Sequence, residues 1–96
     1  MTSTLSKAAS MPEICRFYGI IIAMYYNDHA PAHFHAKYTS NKATIAIATG
    51  DVIQGSLPRR ALRLVNEWRT LHEVELQAAW DDVMARQPMK HIEPLE

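Results

Sequence analysis

The sequence predicts an α+β domain: a small antiparallel sheet of three to four strands, packed by one bent helix or two C-terminal helices. Three observations lead there. The first half of the 96-residue chain is a series of short apolar segments rich in aromatic and β-branched residues, separated by turn residues. From Ser56 onward the apolar residues recur at helical spacing. Apolar residues make up 48% of the chain, which supplies one modest core and not two. Residues 1–10, MTSTLSKAAS, are small and polar and read as a flexible arm, with residues 11–96 as a single domain.

Each element has its own signal. Arg16 to Tyr26 reads as one strand, apolar on both faces as a central strand is. Asn27-Asp28-His29-Ala30-Pro31 has turn chemistry, because Asn and Asp bond their own backbone and Pro31 fixes φ. His33 to Tyr38 is a second strand and Thr39 to Lys42 a turn. Ala43 to Ala48 is a third strand, with Ile45 and Ile47 on one face. Gly50-Asp51 predicts a two-residue II′ turn into a short return strand, Val52 to Gln54.

Ser56 suits the N-cap of a helix with Pro58 in its first turn. Ala61, Leu64, Val65, Trp68 and Leu71 form that helix's apolar stripe. Leu76, Ala79, Trp80 and Val83 continue on a rotated face, so a bend or break falls near Leu71–Val74, and Pro88 ends the run. Trp68 and Trp80 stand at core spacing and tie helix to sheet. His72 falls on the first helix's apolar face, the place of a hydrogen-bonded core histidine. Met89 to Glu96 is an extended tail that packs on the sheet through Ile92 and Leu95, and His91 lies in it.

Charge and composition exclude some classes of function. Ten basic and ten acidic side chains cancel, so no global field draws the chain to nucleic acid. Residues 11–72 carry seven Lys/Arg against four Asp/Glu, net +3; residues 73–96 carry two against six, net −4. Within the first block Arg59, Arg60 and Arg63 share a helix start, where basic groups oppose the macrodipole, a small penalty that hints at an anionic partner. The apolar run Ile20 to Met24 is far too short to cross a bilayer, and residues 1–10 lack the apolar stretch of a secretory signal. Cys15 is the single cysteine, so no internal disulfide forms and a reducing cytoplasm is the expected home. There is no glycine-rich phosphate loop, and Asp81-Asp82 diverge on a helix.

The densest chemistry lies in NDHAPAHFH, residues 27–35. Side chains two apart on a strand point the same way, so His33 and His35 share a face, their Cα atoms about 6.5 Å apart, with Phe34 aimed oppositely into the core. Asp28 and His29 lie in the turn that folds over that pair. Such a group does one of three things. Imidazoles with a carboxylate hold a divalent transition metal with an open position for water. Two histidines act as acid and base on a phosphate ester. Or the rings pack against the turn, bonded to backbone carbonyls, and serve structure alone.

Arg16-Phe17-Tyr18-Gly19-Ile20, Met24-Tyr25, Asn27-Asp28-His29 with Pro31, and His33-Phe34-His35 together resemble a family of short bacterial proteins, domain of unknown function 4160. Gly50, Gly55, the run Leu57 to Leu62, Trp68, Leu71-His72, Trp80 and Ile92 to Leu95 extend the resemblance from Met11 to the C-terminus. The family resembled usually has two prolines before its His-Phe-His, where this chain has Ala32 as the second. The resemblance implies the toxin half of a small toxin–antitoxin-type module, bound to a small protein encoded beside it and acting on or binding nucleic acid. In that reading His29, His33 and His35 are the working groups, Asp28 orients one of them, and Arg16, Arg59, Arg60 and Arg63 contact phosphates. The alternatives are a non-catalytic adaptor or antitoxin-like module, and a metal-dependent hydrolase of a phosphorylated substrate with His29, His33 and His35 as ligands.

Overall fold

A computed structural model describes residues 13–26 and 28–96. The predicted arm at residues 1–10 lies outside the described residues. The architecture is α+β: a five-stranded antiparallel meander in the order β1-β2-β3-β4-β5, followed by two helices. The strands are β1 (Glu13–Phe17), β2 (Ile20–Ala23), β3 (His33–Tyr38), β4 (Asn41–Ala46) and β5 (Val52–Gly55). The helices are α1 (Arg59–Leu71) and α2 (Glu73–Met84).

The sheet therefore has five strands where three to four were expected, and the extra one comes from Arg16–Tyr26. That run is not one strand but a hairpin, with Phe17 paired to Ile20 across Tyr18-Gly19. Both turn residues have positive φ, 49° and 78°, which is the backbone of the tight turn that matches strand twist. A tyrosine seldom takes that conformation, so the usual Asn-Gly or Asp-Gly signal was missing.

Two other connections also differ from expectation. Thr39-Ser40 alone joins β3 to β4, with Thr39 at φ 52°, because Asn41 and Lys42 already pair with Tyr38 and Lys37. The β4–β5 connection is wider than a two-residue turn. β4 ends at Ala46, whose N–H donates to the Asp51 carbonyl, while the Gly50 N–H donates to the Ala46 carbonyl. At Gly50 (φ 80°) a side chain would be strained, and its Cβ would displace Asn66 Oδ1, 2.5 Å away, and Arg69 Nε, 2.8 Å away.

The expected Ser56 N-cap is not used. Its N–H donates to the Lys42 carbonyl, so Ser56 still belongs to the sheet, and Pro58 takes the cap position without a side-chain bond. The predicted break falls at His72, whose N–H reaches both Trp68 and Arg69 carbonyls. Glu73 and Glu75 then open α2, where acids suit the dipole. α2 stops before Pro88: Arg86 takes φ 58°, its N–H donates to the Val83 carbonyl and that of Gln87 to Asp82. Those are the two bonds of a Schellman stop, and proline soon afterwards is its usual companion.

Register sorts the side chains into two faces. Cys15, Phe17, Ile20, Ile22, Phe34, Ala36, Ala43 and Ile45 line one face, all buried. Trp68 of α1, fully buried, meets that face with its ring 5.3 Å from Phe17 and 5.9 Å from Phe34. The tail packs as expected: the Ile92 N–H donates to Ile14 and covers the β1 edge, Trp68 Nε1 donates to the Glu93 carbonyl, and Leu95 rests on the core. The opposite face carries Arg16, Ile21, His35, Lys37, Lys42, Thr44 and Gln54. Among the described residues no helix is long and apolar enough to cross a membrane.

Candidate metal centre

β3 aims the two histidines as the period of a strand requires. Phe34 is fully buried on the helix side, and the His33 and His35 rings stand together on the other, centroids 5.1 Å apart. Asp28 arrives from the preceding turn, which closes through its own N–H donating to Tyr25 and its Oδ2 accepting the Tyr25 N–H at 3.3 Å. The same Oδ2 lies 3.2 Å from His33 Nε2 and 3.1 Å from His35 Nε2. The recess is more enclosed than a surface turn, since the three side chains are only 10–17% exposed. Trp80 of α2 covers His33 at 5.0 Å and Tyr25 covers His35 at 4.4 Å.

The outer ring nitrogens fix what the inner ones can do. His33 Nδ1 is 2.7 Å from the Pro31 carbonyl, which only accepts, so the ring proton sits on Nδ1. In the neutral ring, Nε2 then presents a lone pair to a carboxylate oxygen. A cation placed between the two atoms would bond to both. His35 Nδ1 is 3.2 Å from Thr44 Oγ1, which accepts as readily as it donates. Burial holds the His35 pKa below the ordinary imidazole value, against an opposing pull from Asp28, and its Nε2 stands within hydrogen-bond distance of Asp28 Oδ2 at 3.1 Å.

One atom from each of Asp28, His33 and His35 lies within 4.8 Å of the others. Tetrahedral coordination at about 2.0–2.1 Å places ligand atoms about 3.3 Å apart, close to the two nitrogen–oxygen separations seen here. An outward Nδ1 bonded to a carbonyl or hydroxyl is the arrangement that fixes a ligating imidazole. Two imidazoles and one carboxylate leave coordination positions for water or substrate.

The other candidate residues are dispersed. His29 is exposed on the turn and is not in the three-residue group. His72 is not within a helix face but at the helix joint, half-buried, its Nδ1 2.7 Å from Glu75 Oε1 and its ring against Trp68. His91 is exposed in the tail, beside a depression lined by Val74, Glu75 and Ala78. Arg16 is exposed and holds Glu13 through two bonds of 2.8 and 3.0 Å, which keeps that carboxyl below its usual range. Arg59, Arg60 and Arg63 are exposed on α1, and none of the four arginines lines the depressions beside His35. Cys15 is fully buried, its thiol pushed up to about 11 by burial. Sequence reasoning missed Thr44 and Tyr25; the one available signal was that Thr44 alternates with the inward Ile45.

A meander with α1 packed on one face through Trp68, and a two-histidine, one-carboxylate recess at the start of β3 with Trp80 of α2 over it, defines a small α+β protein with a candidate metal centre. A family model described as Domain of unknown function (DUF4160) matches residues 19–81, more than half of the chain, and the chain belongs to that family. No curated protein and no solved structure matches it.

Proposed function

We propose that Asp28, His33 and His35 bind a divalent transition metal (zinc, manganese or nickel) and that the chain hydrolyses a phosphate ester. The observation that carries this reading is the pairing of inward and outward nitrogens. Both Nδ1 atoms are engaged outward, by Pro31 and Thr44, while both Nε2 atoms converge on one Asp28 oxygen. A metal in such a site supplies Lewis acidity and lowers the pKa of bound water toward about 7. The chain's own residues hold the ligand rings in one tautomer and, through Trp80 and Tyr25, limit bulk water. In the net reaction water oxygen bonds to phosphorus, the ester P–O bond breaks, and a proton leaves with the released oxygen. No electron transfer is involved.

This activity fits the toxin half of a toxin–antitoxin-type module in a cytoplasmic setting, with a small protein partner. The exposed outer strand β5, with Val52 and Ile53 open, suits pairing with such a partner's strand. A second reading has its own support: Asp28 also closes its own turn onto Tyr25, as a purely structural aspartate would. In that case the chain is a non-catalytic adaptor.

Elemental analysis of protein purified without an affinity tag separates the two. The metal reading expects near-stoichiometric zinc, manganese or nickel, lost in His33→Ala and His35→Ala, together with growth arrest on expression that the same substitutions relieve. Metal-free protein that does not take up any of the three ions on dialysis overturns it.

A further inference from the structure

Beside the recess, on the sheet face away from α1, the structure has a second feature that the metal reading does not use. Lys37 and Lys42 are direct cross-strand partners between β3 and β4, on the same face as His35. Both are exposed, and among the ion pairs of the described residues neither ammonium takes part. Like charges directly opposite one another on a sheet repel, with side-chain bases about 4.5–5.5 Å apart. An anion set between the two ammoniums would relieve that repulsion.

The shape of the surface agrees. Tyr25, His35, Lys42, Thr44, Gln54 and Gly55 line a depression of about 310 Å³. A second of about 200 Å³ lies across Ile21, Ala23, Lys37 and Glu13, and shares Tyr25, His35 and Lys42 with the first. The two are thus neighbouring parts of one furrow running past the candidate metal centre. Glu13 is the acid at its rim, and Arg16 already neutralises it. Tyr25 borders both parts with its ring set against His35, so an aromatic side chain stands where the two parts meet.

Cations along a groove, an aromatic platform and an open sheet face are the parts used to hold unpaired nucleic acid: backbone phosphates on the cations, a base on the ring. We infer that the furrow over β2–β5 binds single-stranded nucleic acid, its phosphate seated between Lys37 and Lys42 and a base stacked on Tyr25. The inference rests on the phosphate-ester reading and names its substrate class. It also moves the phosphate contacts from the α1 arginines to two lysines within the same sheet as the ligands. A duplex is a poor fit, because its bases are already stacked and Tyr25 has nothing to receive.

The test is fluorescence anisotropy with a fluorescein-labelled oligouridylate, in EDTA so that binding is read without metal. Each phosphate contact to a single strand contributes a salt exponent of about 0.7, so removing two lowers affinity by about 25-fold at 0.1 M salt and the slope by about 1.4. The double variant Lys37→Gln, Lys42→Gln should show both changes, while Arg59→Gln with Arg60→Gln and Arg63→Gln should leave binding within about twofold. Tyr25→Leu should weaken the single strand by about fivefold or more, the worth of one stacked base. Competition by inorganic phosphate or by duplex RNA as strong as that by the unlabelled oligouridylate overturns the assignment. So does binding lost in the arginine variant and kept in the lysine one, or no binding by the wild type. Metal content of the lysine variant, unchanged from wild type, keeps this outcome separate from the fate of the metal reading.

Discussion

Thr44→Val offers the sharpest check on the metal centre, because it alters no ligand and almost no volume. Thr44 Oγ1 stands 3.2 Å from His35 Nδ1 and is the group that would hold the ring with Nε2 toward the metal. Losing an outer partner of this kind typically costs ten- to a hundredfold in metal affinity. Binding to the folded state alone stabilises it by RT ln(1 + [L]/Kd), about 2.7 kcal/mol at a hundredfold excess over Kd. For a chain of 96 residues the unfolding entropy is about 0.2 kcal/mol/K, so the wild-type Tm should rise by about 13 °C on adding zinc or manganese at that level. At the same metal concentration, a tenfold weaker variant retains about 1.4 kcal/mol and 7 °C. A hundredfold weaker one retains about 0.4 kcal/mol and 2 °C. Differential scanning fluorimetry with metal and with EDTA gives each variant its own baseline, so any change in metal-free stability cancels. A metal-induced rise equal to the wild type's in Thr44→Val would refute the orienting role. A rise that survives in Asp28→Asn and His33→Ala would refute the site itself.

Three more outcomes follow from the fold. Gly55→Ala should destabilise by more than about 1–2 kcal/mol, because φ is +78° and the new Cβ would run into the Lys42 backbone carbonyl oxygen. Faster hydrogen exchange over residues 52–55 reads it, and unchanged protection there would contradict the contact. Arg69→Met keeps most of the buried stem but removes the 2.8 Å bond from Nη1 to the Ile47 carbonyl, with an expected cost of about 1–3 kcal/mol. A urea midpoint unmoved by the substitution argues that water replaces the bond without loss. Cys15, buried and with its thiol pushed up to about 11, should resist a thiol-specific disulfide reagent at pH 8 and react at once in denaturant. The sign agrees: above the unfolded thiol's pKa only the unfolded chain ionises, so stability should fall as pH climbs from about 9 toward 11.

What the sequence made legible was periodicity. The period of two gave β3 its bounds, His33 to Tyr38, and put Phe34 opposite the two histidines. The change of phase between Leu71 and Leu76 gave the break, observed at His72. What it hid was turn length. Tyr18 at positive φ concealed a whole hairpin. The turn expected over Thr39 to Lys42 would set Ala46 opposite His35, whereas the observed Thr39-Ser40 turn sets Thr44 there. The faces are the same in either register, since the shift is two residues, but the partner of the imidazole is not. Composition around the cluster gave Asp28 and His29 equal standing. Only the closed turn, with Asp28 folded back on Tyr25, brings one inward and leaves the other exposed.

The break at His72 also connects the helices to the chemistry. On one straight helix Trp80 would stand about 120° round from Trp68, since twelve residues at 100° each overrun three full turns by that much. Trp68 is committed to Phe17 and Phe34 on the inner face. The two indoles serve different ends of the sheet: Trp68 fills the core while Trp80 lies over His33, the first residue of β3. Glu73 and Glu75 make restarting the helix after the break favourable, and Glu75 holds the His72 ring at the joint. His72, read from the chain as one more core residue, thus marks where the helical layer turns: beyond it Leu76, Ala79 and Val83 still close the core while Trp80 also reaches over the candidate metal centre. The sheet face that carries His33 and His35 also carries Lys37 and Lys42, which stand exposed, so the enclosed recess and the cationic furrow follow one another along the same face of β3.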